Sequence, residues 1–198
     1  MRKVLIEITI LGLLLTIGCS MFPVDFTSTS GQKAGDEELS AAGKSEADKE
    51  PISLAGIRLG ASAEEVVGRL GSEYREEKFD DGGFFGESFA IWHYEGIDVV
   101  IGLESEKVLQ LEAYIPQFVT QNGDKVGNEA SKVLEKYRAE YPEYEGANSD
   151  GPLGGWFQLD ESTLLIFSFN EDRSRFNQVI PENSKVEAIT LGYTYFFD

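Results

Sequence analysis

The chain has 198 residues, of which 35 are acidic and 17 are basic, so its formal net charge is −18. This charge argues against nucleic-acid binding, because neutralising a phosphate backbone needs a basic surface. One Cys and one His exclude an intramolecular disulfide and leave too few ligands for a zinc, haem or iron–sulfur centre, so we expect no metal and no cofactor.

Residues 1–18 have the pattern of an export signal. Arg2 and Lys3 precede the apolar segment ITILGLLLTI, which is 10 residues long and ends at Ile17. This length fits the roughly 7–15 residues of a secretory apolar region and is shorter than the about 20 that cross a bilayer. We therefore expect a signal peptide rather than a membrane-spanning helix.

The only Cys of the chain follows directly after that segment. Ile17-Gly18-Cys19 resembles the lipobox of bacterial lipoproteins, in which the Cys is acylated and becomes the first residue of the mature protein. The resemblance implies lipidation of Cys19 and attachment to the extracytoplasmic face of the cell membrane through the acyl chains. The alternative is an ordinary secretory peptide, or an uncleaved anchor, that happens to contain a Cys.

Residues 19–50 differ in composition from the rest of the chain. They are rich in Ser, Ala, Gly, Asp, Glu and Lys and show no apolar period after Phe26. This composition predicts a disordered tether that runs from the lipidated Cys to a folded domain.

Residues 51–198 have the length of one globular domain and contain an internal repeat. Gly56 to Tyr74 aligns without gaps with Gly123 to Tyr141, at an offset of 67 residues. In each copy a glycine-led turn precedes an amphipathic helix, and Ser62 and Glu65 have the spacing of a capping box. We therefore expect two repeats, about 52–118 and 119–198.

After each helix the apolar period changes to two, which predicts strands. Short connections between these strands favour antiparallel pairing. The predicted strands are Phe89–Tyr94, Ile97–Glu104, Val108–Ile115, Trp156–Leu159, Thr163–Asn170 and Val186–Tyr193. The predicted class is α+β: a duplicated unit of a short helix and an antiparallel β-meander, with the helices on one face of the sheet.

The motif Gly56-Ile57-Arg58-Leu59-Gly60, followed by a capped helix that ends in Leu70-Gly71, resembles a known tandem-repeat fold. This fold occurs in β-lactamase-inhibitor-like proteins and in small outer-membrane assembly lipoproteins. The resemblance implies a non-enzymatic scaffold whose exposed sheet face and loops meet a protein partner. This chain lacks the paired cysteines of the secreted inhibitor, so β-lactamase inhibition is not expected of it.

Two glycine-rich connections carry aromatic residues at corresponding places in the two copies. Phe84 and Phe85 lie in the first connection, and Trp156 ends the second. Exposed aromatics on such loops are good anchors for a protein partner, so these three residues are the candidate binding residues. The alternative is that the rings fold back and cap the sheet, since an unmatched aromatic patch favours aggregation.

Candidate catalytic groups are few. His93 lies within the predicted strand FAIWHY, and no GxSxG-type nucleophile motif accompanies it. The acidic pairs Asp80-Asp81, Asp160-Glu161 and Glu171-Asp172 lack the spacing of a calcium loop, and most such charges are solvated. We therefore expect no catalytic residue.

The sequence as a whole predicts a lipid-anchored, extracytoplasmic bacterial protein that binds another protein without catalysis. One alternative is a cell-envelope hydrolase that uses two carboxylates roughly 5–10 Å apart. Another is a structural envelope protein without a discrete site.

Overall fold

A computed structural model describes residues 52–147 and 149–197. The predicted signal peptide, Cys19 and the predicted tether lie outside these described residues. None of the helices in this part of the chain is long and apolar enough to cross a membrane.

The first helix, α1, spans Ala63–Leu70 and begins with the predicted capping box. The Glu65 amide donates to Ser62 Oγ at 3.2 Å, and the Ser62 amide donates to Glu65 Oε2 at 2.7 Å. These two bonds satisfy amides that a helix start otherwise leaves unpaired. Gly71 follows the helix as its C-cap and has a φ of 91°, a backbone conformation that is strained for residues with a side chain.

The second helix, α2, spans Ala130–Arg138 and begins differently. Its N-cap is Glu129, which makes no side-chain capping bond. The side chain of Asn128 instead accepts a hydrogen bond from the Lys125 amide at 2.8 Å, which closes the preceding turn. Ala130, Val133, Leu134 and Tyr137 are buried along one stripe of the helix, as their spacing predicts.

The described residues form one sheet of seven antiparallel strands. The strands are β1 (Arg75–Phe79), β2 (Phe89–Tyr94), β3 (Ile97–Gly102), β4 (Val108–Ala113), β5 (Trp156–Gln158), β6 (Thr163–Ser168) and β7 (Ala188–Tyr193). Their order across the sheet is β1-β2-β3-β4-β7-β6-β5. Six of the seven lie where the period-two pattern predicts, with ends that differ by at most two residues.

The sequence pattern did not predict β1. Its sequence, REEKF, has no alternation of apolar and polar residues, and four of its five residues are exposed. It forms because all five residues pair with β2, from Arg75 opposite His93 to Phe79 opposite Phe89. The strand therefore depends on its neighbour in the sheet rather than on its own burial.

The sheet has two apolar faces. Residues of one face belong to the main core cluster, which contains Trp92, Val99, Leu111, Phe157 and Leu191 together with buried residues of both helices. The opposite face, which we call the second face, carries the alternate residues of the same strands. Two smaller clusters form there; they include Phe89, Val100 and Leu109 in one and Trp156, Leu164 and Ile166 in the other.

Candidate functional site

The second face contains an apolar concavity, which we call the aromatic groove. It has a volume of about 540 Å³ and is lined mainly by rings and aliphatic side chains. Lining residues include Phe79, Phe85, Phe89, Ile91, Val100 and Phe197. Apolar pockets with a few polar groups at their border are the usual form of a binding site.

Phe84 borders the groove at the end near β1. It lies in a 3-10 turn, Gly83–Phe85, between Gly82 with φ of 62° and Gly86 with φ of 73°. The turn is closed by a bond from the Ser88 hydroxyl to the Asp80 carbonyl at 3.0 Å. This turn leaves the Phe84 side chain 82% exposed, an unusual position for a ring of that size.

The other two candidate binding residues lie deeper than Phe84. Phe85 is half-buried and packs its ring against Phe89 and Phe196, with centroid distances of 4.7 and 4.5 Å. Trp156 is 1% exposed, and its Nε1 donates to the Arg175 carbonyl at 2.7 Å. The structure therefore brings all three to the second face but leaves only Phe84 largely open to solvent.

A second exposed ring borders the groove on the loop between β6 and β7. Phe176 is 64% exposed and lies 5.1 Å from the Trp156 ring, centroid to centroid. Asn177 fixes the loop: its Nδ2 donates to the carbonyls of Gly154 and Phe167 at 2.8 and 2.9 Å. Phe176 is therefore presented by an anchored segment of the loop.

A row of polar residues crosses the second face beside the groove. Strand register places Arg75, His93, Asp98, Glu112 and Thr190 opposite one another on five successive strands, β1, β2, β3, β4 and β7. We call this set the polar row. It borders the apolar residues Ile91 and Val100, so the face has one polar side and one apolar side.

Arg175, from the β6–β7 loop, forms an ion pair with Glu112 of the polar row. Its Nε also donates to Thr190 Oγ1 at 3.3 Å. Arg173 lies over the Tyr114 ring, 4.6 Å from its centroid. These contacts hold the loop that carries Phe176 onto the sheet.

His93 lies between two carboxylates. Its Nδ1 is 2.9 Å from Asp98 Oδ1, and its Nε2 is 3.4 Å from Glu77 Oε2. The longer contact lacks hydrogen-bond geometry, so Nε2 is buried without a hydrogen-bond partner. The pKa of Glu77 is lowered, chiefly by a hydrogen bond from Arg75. His93 is thus engaged in contacts across β1, β2 and β3.

The acidic pairs do not converge on a common centre. Asp80 and Asp81 lie in the turn before Phe84, whereas Asp160 and Glu161 lie in the β5–β6 connection, where Asp160 accepts from the Ser162 amide at 2.8 Å. Asp172 accepts from the Ser174 amide at 2.9 Å. Within residues 52–147 and 149–197, no three or more His, Cys, Asp and Glu side chains are grouped as a metal site would need.

Sequence reasoning missed three aromatic residues of this site. Phe176 lies alone in a polar loop, and Phe196 and Phe197 follow the last predicted strand. Phe196 is buried on the second face, next to Phe85, and Phe197 packs edge-on against Trp156 at 5.5 Å. The local signal was a cluster of aromatic residues, YTYFF, immediately before the C terminus.

Comparison with protein-family models, curated proteins and solved structures found no match for this chain.

Proposed function

We propose that this chain is a lipid-anchored protein of the bacterial cell envelope that binds a segment of another protein in the aromatic groove, without catalysis. The observation that carries the proposal is the groove itself. An apolar floor lies between two rings, Phe84 and Phe176, that are 82% and 64% exposed. Exposed rings beside an apolar pocket are typical of binding hot spots.

Charge supports a protein partner over a lipid surface. Residues 51–198 contain 27 acidic and 12 basic residues, a net charge of −15. Anionic headgroups would repel this domain, whereas a neutral or basic protein segment would not. An acylated Cys19 would hold the domain near the membrane through its lipid instead.

The contacts of His93 support the non-catalytic part of this proposal. Its two ring nitrogens face the carboxylates of Asp98 and Glu77, at 2.9 and 3.4 Å. The ring therefore joins three strands of the sheet, and we assign it a structural role within the polar row.

We also infer that the domain is a duplicated unit, with repeats of about 52–118 and 119–198. Matched hydrogen bonds support this inference. The Gly60 amide donates to the Val108 carbonyl at 2.9 Å, and Gly127 donates to Val186 at 2.8 Å. The Val108 amide returns a bond to Ala61, as the Val186 amide does to Asn128, both at 2.9 Å.

The sheet register supports a pseudo-two-fold relation between the repeats. The last strands of the two repeats, β4 and β7, are neighbours and pair antiparallel with Glu112 opposite Thr190. The matched hydrogen bonds equate Val108 with Val186, and the same offset equates Glu112 with Thr190. Equivalent residues therefore face each other at the centre of the sheet, as a two-fold axis perpendicular to it would require.

The same relation accounts for helices on one face. Val66 of α1 and Val133 of α2 contribute to the same core cluster as Leu111 and Leu191 of the central strands. The second face is covered in part by turns and loops, through Phe85, Phe197 and the Phe176 loop. We infer that this asymmetry leaves the second face available for a partner.

Site-specific crosslinking in the native cell envelope tests the binding proposal. A photoreactive amino acid is placed in the full chain at Phe84, at Phe176 or, as a control, at Glu64 of α1. We expect the first two positions to yield an adduct with the same protein and Glu64 to yield none. The isolated partner should then bind Phe84→Ala/Phe176→Ala at least about tenfold more weakly than the unchanged chain. Equal binding by both chains would refute the groove as the site.

Mass analysis tests the anchor separately. The membrane fraction should contain a mature chain that starts at an acylated Cys19, and Cys19→Ala should release or misprocess it. Membrane-bound protein that retains the start methionine without modification would refute the lipoprotein assignment.

A further inference from the structure

The aromatic groove adjoins a second concavity at Phe176. The second concavity is lined by Pro152 and Leu153 and shares Phe176 and Phe197 with the groove. The apolar surface therefore extends from the turn of Phe84, over the middle of the sheet, to the segment before Trp156. Such a surface fits a chain segment several residues long rather than a single side chain.

Basic groups beside this surface are already engaged. Arg75 pairs with Glu77 at 3.0 Å, and Lys78 pairs with Glu76 at 3.2 Å. Arg175 pairs with Glu112 across the polar row. These cations are neutralised within the domain and add no positive charge to the groove.

Carboxylates at the two ends of the surface are not neutralised in the same way. Asp80 and Asp81 are exposed in the turn that carries Phe84, and Asp150 is exposed where it lines the second concavity. Among the described residues none of these three carboxylates forms an ion pair. We call Asp80, Asp81 and Asp150 the rim carboxylates. The surface thus has an apolar middle and an anionic group at each end.

Resting on the proposed function, we propose that the groove takes a protein segment with an apolar centre and Lys or Arg on both sides of it. The apolar side chains lie between Phe84 and Phe176, and the basic side chains lie beside the rim carboxylates. Such a segment is complementary to the groove in hydrophobic character and in charge. Its apolar side chains cover the exposed rings, and its basic side chains neutralise charge in a domain with a net charge of −15.

The test measures peptide binding to the full chain reconstituted in phosphatidylcholine nanodiscs, with empty nanodiscs as the baseline. The probe is a short fluorescent peptide with an apolar centre and paired Lys at each end. Matched probes carry Glu or Ser in place of Lys. We expect the Lys probe to bind most tightly, with an affinity that falls as salt concentration rises.

Two triple variants distinguish the effect of the rim carboxylates on probe binding from the effect of the net charge. Asp80→Asn/Asp81→Asn/Asp150→Asn and Glu64→Gln/Glu135→Gln/Glu140→Gln change the net charge equally, and the second set alters exposed residues of α1, of α2 and of the turn after α2. We expect the first variant to weaken the Lys probe by about tenfold and the second to leave it nearly unchanged. Equal losses would mean diffuse attraction and would overturn the proposal.

The probes also distinguish this proposal from the proposed function. If the Ser or Glu probe binds as tightly as the Lys probe and Phe84→Ala/Phe176→Ala weakens all of them, the groove binds protein but the basic class is wrong. If that double variant weakens none of them, both proposals fail.

Two further outcomes would assign the groove to another occupant and overturn the proposal. One is a crosslink, formed in the absence of peptide, from a photoreactive amino acid in place of Phe84 or Phe176 to residues 21–26 of the same chain. The other is adsorption of the domain to phosphatidylglycerol vesicles that depends on those two rings.

Discussion

Phe84 and Trp156 both belong to the second face, but they lie at opposite extremes of exposure. Trp156 is 1% exposed, and its ring lies 5.5 Å from Phe197 and 6.3 Å from Tyr144. Phe84 is 82% exposed. Their local sequences are similar, since each ring follows two glycines, and the difference arises from contacts made by residues far along the chain.

Truncation of these two rings should therefore have unequal effects on stability. Trp156→Ala should lower the free energy of unfolding by about 3–5 kcal/mol, because it empties a packed site and leaves the Arg175 carbonyl without its donor. Phe84→Ala should change it by less than about 0.5 kcal/mol. Urea denaturation followed by circular dichroism measures both values. A large loss for Phe84→Ala would mean that this ring is part of the core.

At the scale of the element, the two helices share a stripe of buried residues but begin differently. The start of α1 depends on the reciprocal bonds of Ser62 and Glu65, whereas the N-cap of α2 makes no such bond. The pKa of Glu65 is lowered, chiefly by the hydrogen bond that its carboxylate accepts from the Ser62 amide. The charged form of Glu65 is therefore favoured in the folded state.

Loss of this cap should have a defined pH dependence. Ser62→Ala should lower the free energy of unfolding by about 1 kcal/mol. Because the folded pKa of Glu65 is depressed, its contribution is present above the unfolded pKa and is lost as pH falls through the folded pKa. The stability difference between the unchanged chain and Glu65→Gln should therefore shrink towards acid pH. Glu64→Gln, in the same turn, is the control, and an equal pH profile for both variants would contradict the capping role.

Among the strands, those with a regular apolar pattern are predictable from the sequence. The strands β2, β3, β4, β6 and β7 alternate apolar residues or run apolar throughout, and they lie where this pattern predicts. The strand β1 carries Arg75, Glu76, Glu77 and Lys78, so no burial pattern marks it, and its pairing with β2 alone creates it. The groove was harder to predict, since Phe176 and Phe197 reach it through the loop and the terminal turn that fold over the sheet.

At the scale of the whole molecule, the two proposed repeats share one core. Buried residues of both repeats, such as Val99 and Phe167, belong to a single cluster, and β4 pairs with β7 along the centre of the sheet. If one repeat unfolded, the buried residues of the other repeat would lose their packing partners in this cluster. Separate folding of the repeats is therefore unfavourable, although each resembles the other in sequence.

The positions of the two Trp residues allow this coupling to be measured. Trp92 lies in β2 of the first repeat, and Trp156 lies in β5 of the second. Trp156→Phe leaves a fluorophore that reports on the first repeat, and Trp92→Phe leaves one that reports on the second. In each variant we expect the fluorescence transition in urea to coincide with the far-ultraviolet circular dichroism transition, because a shared core unfolds in one cooperative step. If the fluorescence and circular dichroism transitions separate in either variant, the two repeats unfold at different urea concentrations, and the central β4–β7 pairing is a boundary between two folding units rather than the middle of one.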